Sequence, residues 1–390
     1  MTNGTANRDA SSPVKLLLIF GTRPEATKLI PLYMELKRRG NIHPVIAVTG
    51  QHREQLDQAL GNFGIKPDFD LNIMKRRQSL SYVVSAALQG LETVLDEARP
   101  DMALVHGDTA TTFAGALAAF FKRIKSGHVE AGLRSFDKYQ PFPEEINRKL
   151  ATAIADMHFA PTRLSKRNLL REGVPEKDIY VTGNTAIDLL KYTIKKDYRF
   201  SENKLNNLDY NKRIVVMEAH RSENLGAPME SICRAVSRLL DGNPDIELVW
   251  PVHLNPEVRK TAFAVLGGHP RALLTEPVSV DDMNNLMNRS YMILTDSGGL
   301  QEEAPSMDKP VVVLRNVTER PEGVESGALV IAGMEEGNVY RVANSLLHDA
   351  ALYGKMTRAK NPYGDGNASA RIADAILYEF GMGPRPEDFA

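Results

Sequence analysis

The sequence has little of several features that mark special classes of protein. Its 390 residues include one cysteine, Cys233, which excludes an internal disulfide and favours a reducing, cytoplasmic compartment. Aromatic residues make up 7%, and the 48 Lys and Arg residues nearly balance the 49 Asp and Glu residues. Because the net charge is only −1, we expect no nucleic-acid partner.

Long apolar runs are also missing. No stretch approaches the roughly 18 apolar residues of a membrane-spanning helix, so we expect no membrane partner. Residues 1–13 are small and polar without an apolar core, which argues against a signal peptide and predicts a disordered tail. The hydrophobic fraction of 43% and the length predict a globular protein of two or three domains.

Short runs rich in Val, Ile and Leu alternate with longer amphipathic stretches along the chain. Such apolar runs are typical of strands buried on both faces of a parallel sheet. The pattern predicts an α/β fold with two doubly wound, Rossmann-like domains. The predicted strands are Val14–Phe20, Pro44–Thr49, Met102–His106, Lys125–Val129, Met157–Ala160, Ile179–Thr182, Arg213–Glu218, Ile246–Val252, Ala272–Thr275, Tyr291–Thr295, Val311–Leu314 and Ala328–Ala332.

The segment Lys191–Lys212 is charged and poor in apolar residues, so it is the candidate linker between the domains. We therefore expect an N-terminal domain over residues 14–190 and a C-terminal domain over residues 191–367, facing each other across a cleft. The last segment, residues 368–390, is expected to pack as a helix on the first domain.

Polar residues follow several predicted strands of the first half. Arg23 and Lys28 come after the first strand, where their cationic groups can reach a phosphate beyond the strand end. Asp108 follows the third predicted strand in the sequence His106-Gly107-Asp108-Thr109, and Glu130 follows the fourth. Taken alone, Asp108 is better explained as the N-cap of the helix predicted over Thr109–Phe121.

A third acid, Glu144, begins a predicted helix that also carries Arg148 four residues later. Asp108, Glu130 and Glu144 together can place three carboxylates around one site, and crowded carboxylates are suited to proton transfer near neutral pH. The alternative for Glu144 and Arg148 is an ordinary surface ion pair.

The second half repeats this arrangement with different residues. His220 and His253 each follow a predicted strand, although a single histidine at such a place is more often structural. The turn Ser297-Gly298-Gly299 opens a helix, and its backbone N–H groups can close on a diphosphate. Glu302 or Glu303, one turn further on, can accept hydrogen bonds from ribose hydroxyls.

The sequence resembles the non-hydrolysing UDP-N-acetylglucosamine 2-epimerases over nearly its whole length. The matching motifs are Gly21-Thr22-Arg23-Pro24-Glu25, His106-Gly107-Asp108-Thr109, His128-Val129-Glu130-Ala131-Gly132-Leu133-Arg134, Pro143-Glu144-Glu145-Ile146-Asn147-Arg148, Gly183-Asn184-Thr185, Asp296–Pro305, Thr318-Glu319-Arg320-Pro321-Glu322 and Pro362-Tyr363-Gly364.

The resemblance implies a GT-B type fold, a homodimer, and reversible conversion of UDP-GlcNAc to UDP-ManNAc for bacterial envelope polysaccharide. It implies no cofactor and no metal. In the family, UDP leaves by anti elimination with loss of the carbon 2 proton, and then adds back to the bound 2-acetamidoglucal. The nearest alternatives are a 2-epimerase of another UDP-sugar, such as a 2,3-diacetamido uronic acid, or a hydrolysing epimerase that releases ManNAc and UDP.

The same resemblance distributes roles among the residues of this chain. It implies catalytic roles for Asp108, Glu130, Glu144, Lys28, Arg148 and His220. It implies UDP contacts for Arg23, His253, Ser297, Gly298, Gly299 and Glu303. Bacterial members are also activated by UDP-GlcNAc at a second site, and the residues that match this region are Gln51, His52, Arg77 and Arg221, although Glu54 stands where members often carry Gln.

Overall fold

The computed structural model describes residues 12–51, 53–75 and 78–389. The chain divides into two compact units: unit 1, which ends at Leu189 and resumes at Gly366, and unit 2, Leu190–Asp365. The chain therefore completes unit 2 before it returns to unit 1. Of the tail predicted over residues 1–13, residues 1–11 lie outside the described residues.

The strands of both units are short and apolar. They are β1 Val14–Phe20, β2 Ile42–Val48, β3 Phe69–Asp70, β4 Met102–His106, β5 Lys125–Val129, β6 Met157–Ala160, β7 Ile179–Val181, β8 Arg213–Glu218, β9 Ile246–Pro251, β10 Ala272–Thr275, β11 Met292–Thr295, β12 Val311–Val313 and β13 Leu329–Ile331.

Helices follow most of these strands. They are α1 Arg23–Arg38, α2 Arg53–Asn62, α3 Leu80–Ala98, α4 Ala110–Phe121, α5 Glu144–Ile154, α6 Arg163–Arg171, α7 Thr185–Thr193, α8 Asn203–Asn206, α9 Ala227–Gly242, α10 Pro256–Leu266, α11 Val280–Arg289, α12 Gly298–Glu303, α13 Pro321–Glu325, α14 Glu336–His348, α15 Ala350–Thr357 and α16 Ala368–Glu379. Among the described residues, no helix combines the length and apolar character needed to cross a membrane.

Unit 1 contains a parallel sheet with the strand order β3-β2-β1-β4-β5-β6-β7. Its central strands are buried on both faces, as Leu17, Leu18 and Ile19 in β1 show. The order reverses between β1 and β4, and ligands bind beyond the carboxyl ends of the strands at such a reversal. Arg23, the first residue of α1, and the turn that carries Asp108 follow these two strands.

Unit 2 repeats the plan with the order β10-β9-β8-β11-β12-β13, again parallel. Its core includes Trp250, which is fully buried. Here the order reverses between β8 and β11, the strands that precede His220 and Ser297. The prediction of two doubly wound parallel sheets is confirmed.

The segment Lys191–Lys212 is folded into unit 2 and is not a free linker. Phe200 and Leu205 are buried. The Asp282 carboxylate accepts hydrogen bonds from the Tyr198 hydroxyl at 2.8 Å and from the Ser201 amide at 2.9 Å. Tertiary contacts of a few side chains therefore order a stretch with a low apolar content.

The last residues of the chain hold unit 1 together. In α16, Asp374 forms an ion pair with Arg39 at the end of α1. The Asp188 carboxylate accepts hydrogen bonds from the first two amides of α16, at 3.1 and 2.8 Å. Beyond the helix, the Phe389 amide donates to the Val181 carbonyl at 2.7 Å, and so covers part of the outer edge of β7.

Candidate functional site

The turn between β1 and α1 is organised by Glu25, which is buried. One carboxylate oxygen accepts hydrogen bonds from the Gly21 amide at 3.0 Å and from the Thr22 amide at 2.8 Å, and the other accepts the Thr109 hydroxyl at 2.8 Å. Burial raises the pKa of Glu25 to about 7 even though these hydrogen bonds lower it. The acid ties the turn that presents Arg23, which is exposed, to the start of α4.

Asp108 follows β4 and is held by two residues of α5. Arg148 donates to one Asp108 carboxylate oxygen through Nε at 2.9 Å and through Nη2 at 2.6 Å. The Asn147 side-chain amide donates to the Asp108 backbone carbonyl at 2.9 Å. The alternative that Asp108 caps a helix is wrong, because Thr109 is the N-cap of α4 and accepts the Thr112 amide.

Glu130 follows β5 and forms an ion pair with Lys28 of α1. The Asn184 side chain donates to the same carboxylate oxygen at 2.9 Å. Glu130 has a φ of +65°, in the left-handed region that non-glycine residues seldom adopt. Since β4 and β5 pair in register, the turns that carry Asp108 and Glu130 lie side by side at the carboxyl ends of these strands.

Glu144 is the first residue of α5, as predicted. The alternative in which it pairs with Arg148 on the surface is wrong, because Arg148 contacts Asp108 and Glu145. Within the described part of the chain, Glu144 Oε2 is buried and has no hydrogen-bond partner. Glu144 therefore shares its helix with the residues that hold Asp108.

His106 is a buried residue beside these charges that sequence reasoning left without a role. It is 3% exposed, and burial lowers its pKa to about 4, while Glu130 and Asp108 favour its charged form and Lys28 opposes it. The imidazole is therefore neutral at pH 7. Its place at the end of β4 is the signal that could have identified it.

In unit 2, His220 lies in the loop after β8 and is bonded through Nδ1 to Glu218. This hydrogen bond raises the pKa of His220 above its usual value, against the effect of burial. The buried carboxylate of Asp296 accepts the His220 amide at 3.0 Å and the Arg221 amide at 2.9 Å. Glu218 was not predicted, although its position two residues before His220 is a usable signal.

Ligand atoms of Glu218, His220 and Asp296 lie within 4.8 Å of one another, close enough to suggest a cation site. However, Asp296 already accepts two backbone amides and, at 2.7 Å, the side-chain amide of Asn224. These contacts account for Asp296 as the group that shapes the loop after β8.

His253 is exposed, and its ring stacks on that of His220 with a centroid distance of 5.0 Å and an angle of 21°. The Ser297 amide donates to the Thr295 hydroxyl at 3.0 Å. Ser297 is the N-cap residue of α12, but its side chain makes no capping hydrogen bond. The structure thus brings His220 and His253 together after neighbouring strands β8 and β9.

The two acids of α12 differ in their surroundings. Glu302 is buried and forms an ion pair with Arg320. Glu303 is partly exposed and lies near Gly299, since a Cβ added to that glycine would be 3.8 Å from Glu303 Oε1. Glu303 is therefore the better placed of the two to contact a ligand.

The predicted regulatory residues are only partly described. His52 and Arg77 lie outside the described residues. In unit 1, the Gln51 side chain accepts a hydrogen bond from the Thr111 hydroxyl at 3.2 Å. In unit 2, Arg221 pairs with Glu319 at 3.3 Å.

Comparison with known sequences gives a family. A model of the family described as UDP-N-acetylglucosamine 2-epimerase matches residues 34–377. The chain is 52% identical over 368 residues to the UDP-N-acetylglucosamine 2-epimerase of Bacillus subtilis strain 168, covering 94% of this chain and 96% of that protein.

Comparison with solved structures points to the same family as the sequence comparison. The fold is similar to that of UDP-GlcNAc 2-epimerase from Neisseria meningitidis bound to UDP-GlcNAc, with 44% identity, a TM-score of 0.84, and coverage of 94% of this chain and 100% of that one. The fold is also similar to that of the Methanocaldococcus jannaschii UDP-GlcNAc 2-epimerase in complex with UDP-GlcNAc and UDP. The two chains are 33% identical with a TM-score of 0.75, and the match covers 94% of this chain and 100% of that one. The glycotransferase of kitacinnamycin shares the fold alone. It is 13% identical with a TM-score of 0.65, and the match covers 94% of this chain and 99% of that one. The GT-B type prediction is confirmed.

Proposed function

Because the chain belongs to the UDP-N-acetylglucosamine 2-epimerase family, we propose that it interconverts UDP-GlcNAc and UDP-ManNAc without net hydrolysis. A base takes the proton from carbon 2 while the bond from carbon 1 to the UDP oxygen breaks, and the C–H electron pair forms the double bond of 2-acetamidoglucal. UDP then adds back to carbon 1 as a proton reaches carbon 2 from the other face, so no atom is gained or lost.

The observation that carries this proposal is the pair of acids after β4 and β5. Asp108 is held by Arg148, and Glu130 by Lys28, so each carboxylate has a fixed position and a cation beside it. Proton removal and proton return on opposite faces of one carbon need two such groups. We assign Asp108, Glu130 and Glu144 to the acid–base work, with Lys28 and Arg148 as their cationic partners.

The departing UDP needs stabilisation, because a proton next to an amide nitrogen is only weakly acidic. We propose that His220, whose pKa Glu218 raises, donates to the leaving phosphate. The remaining residues assigned to UDP binding are Arg23, His253, Ser297, Gly298, Gly299 and Glu303. Solved relatives bound to UDP-GlcNAc, or to UDP-GlcNAc and UDP, support a ligand of this class.

Further parts of the proposal concern regulation and context. Gln51, His52, Arg77 and Arg221 are proposed to bind a second, activating UDP-GlcNAc. We propose a cytoplasmic homodimer that supplies ManNAc units for envelope polysaccharide. Light scattering on the purified protein tests the dimer, and a rate that rises more steeply than the UDP-GlcNAc concentration tests the activation.

The decisive experiment is proton NMR of UDP-GlcNAc incubated with the protein in heavy water. We expect UDP-ManNAc with deuterium at carbon 2 of the sugar. Free N-acetylmannosamine and UDP as the enzymatic products would contradict the non-hydrolysing reaction. An unchanged UDP-GlcNAc spectrum would contradict the substrate itself.

A further inference from the structure

Glu145 is an acid to which the proposed reaction gives no role, and its side chain is completely buried. One carboxylate oxygen accepts the Ser135 amide at 3.0 Å and Arg148 Nη1 at 3.1 Å. The other accepts the Phe136 amide at 3.1 Å. A buried carboxylate with three donors is fixed in place, because losing any one of them leaves a polar group unsatisfied.

The guanidinium of Arg148 is shared between Glu145 and Asp108. Nη1 faces Glu145, while Nε and Nη2 face Asp108 at 2.9 and 2.6 Å. Because the guanidinium is a rigid, planar fork, fixing one of its nitrogens also sets the direction of the others. The position of Glu145 therefore sets the position of the Asp108 carboxylate.

The backbone amides that Glu145 binds begin the aromatic loop, residues 135–142. Phe136, Tyr139 and Phe142 in this loop are 61, 64 and 61% exposed. Within the loop, the Ser135 hydroxyl also donates to the Asp137 carbonyl at 3.1 Å. One carboxylate thus anchors both the start of an exposed loop and the arginine that holds Asp108.

We propose that Glu145 is a positioning residue that acts on Asp108 through Arg148 and couples Asp108 to the aromatic loop. The inference rests on the proposed function for its effect on rate. The coupling itself is a property of the fold, and it can be measured without turnover.

The test compares Glu145→Gln, Arg148→Ala and the double variant. Gln replaces one acceptor oxygen by an NH₂ group that faces other donors, so Arg148 loses its fixed direction. We expect kcat for UDP-GlcNAc to fall about 10- to 100-fold in Glu145→Gln, as for a small misplacement of a reacting group. The dissociation constant for UDP should stay within about twofold, and the double variant should be no more than about twofold slower than Arg148→Ala.

The matched control is Glu172→Gln. The Glu172 carboxylate pairs with Arg134 at 2.6 Å, and Arg134 directly precedes the same loop. We expect its kcat to stay within about twofold of the parent protein. An unchanged kcat in Glu145→Gln would overturn the proposal. Losses that multiply in the double variant would also overturn it, since Glu145 would then act independently of Arg148. If Arg148→Ala fails to fold, Arg148→Lys takes its place, because lysine cannot bridge both carboxylates.

Amide exchange separates this inference from the reaction. In Glu145→Gln, peptides covering residues 134–142 and 106–110 should both exchange about tenfold faster, whereas Glu172→Gln should leave residues 106–110 unchanged. Faster exchange in the loop alone would contradict the coupling, even if the parent protein epimerises UDP-GlcNAc. If the parent protein does not epimerise it, the proposed function fails and the exchange result alone decides the coupling.

Discussion

Asp108 and Glu130 have different supports at the scale of single residues. The Asp108 carboxylate is held by one arginine on α5, whereas the Glu130 carboxylate is held by Lys28 and by the Asn184 side chain, and the Glu130 backbone has a φ of +65°. Backbone strain of this kind costs on the order of 1–3 kcal/mol and persists only where the surroundings enforce it. The fold therefore fixes Glu130 through its backbone as well as its side chain.

We predict that Asp108→Asn and Glu130→Gln each lower kcat by about 10²- to 10⁴-fold, because each removes a group assigned to proton transfer. Titration calorimetry should show that both variants bind UDP within several fold of the parent protein. Glu303→Ala should give the opposite result, with weaker UDP binding. Parental turnover in both acid variants, or parental UDP affinity in Glu303→Ala, would contradict the assigned roles.

Glu25 gives a prediction about pH at the same scale. Its pKa is about 7 in the folded protein and near its ordinary value of 4.5 when unfolded, so the folded chain binds more protons between these values. Stability from this group is present below about pH 4.5 and is lost as the pH rises through 7.

Glu25→Gln, which mimics the protonated acid, should remove a slope of up to about 1.4 kcal/mol per pH unit from urea unfolding measured between pH 5 and 7. Glu97→Gln, at an exposed position of α3, is the control and should keep the parental slope. The same slope in both variants would show that Glu25 is not the titrating group.

At the scale of elements, neighbouring strands β4, β5 and β6 carry the buried histidines His106, His128 and His158. Burial lowers their pKa values to about 4, 3 and 4. Since the unfolded chain takes up these protons near pH 6.5, stability should fall as the pH drops from 6.5 towards 4.

His158→Gln should therefore show a smaller loss of unfolding free energy between pH 6.5 and 5 than the parent protein. Urea titrations at both values measure it. His43→Gln, at an exposed position of β2, serves as the control and should lose as much as the parent. An equal acid loss in all three proteins would contradict the burial argument.

The apolar runs predicted each core strand to within about two residues, because burial on both faces leaves a continuous hydrophobic signal. Strand β3, Phe69–Asp70, was not predicted, since two residues are too short to show a pattern. The contacts of Tyr198 and Phe200 that order the segment after α7 were equally invisible, because they depend on Asp282 and Arg289, far along the chain.

In the candidate site, strand ends pointed to Asp108, Glu130 and His220, because a parallel sheet gathers its carboxyl ends at one edge. Residue pattern and spacing do not distinguish Glu144 from Glu145, its neighbour on α5. Only the fold shows that Glu145 is buried and that Arg148 turns towards Asp108.

At the scale of the whole molecule, unit 2 is one continuous stretch, whereas unit 1 needs both ends of the chain. We predict that the fragment of residues 190–365 folds alone, because its sheet and its core around Trp250 come from that stretch. The fragment of residues 14–189 lacks α16 and the cover on β7, and should melt at a lower temperature or aggregate.

Circular dichroism melts and size-exclusion chromatography measure the difference. Joining residues 366–390 to residue 189 through a flexible linker should restore a cooperative transition. A fragment of residues 14–189 that melts like the joined version would contradict the role of the last segment.

This order of assembly has a consequence during synthesis on the ribosome. Residues 12–189 emerge first, yet α16, which Asp188 caps, and Phe389, which covers β7, emerge only after all of unit 2. At about 5–20 residues per second, the first half of the nascent chain waits on the order of tens of seconds for its last helix. During that interval the edge of β7 is open to other chains, so chaperone dependence in the cell should arise from unit 1.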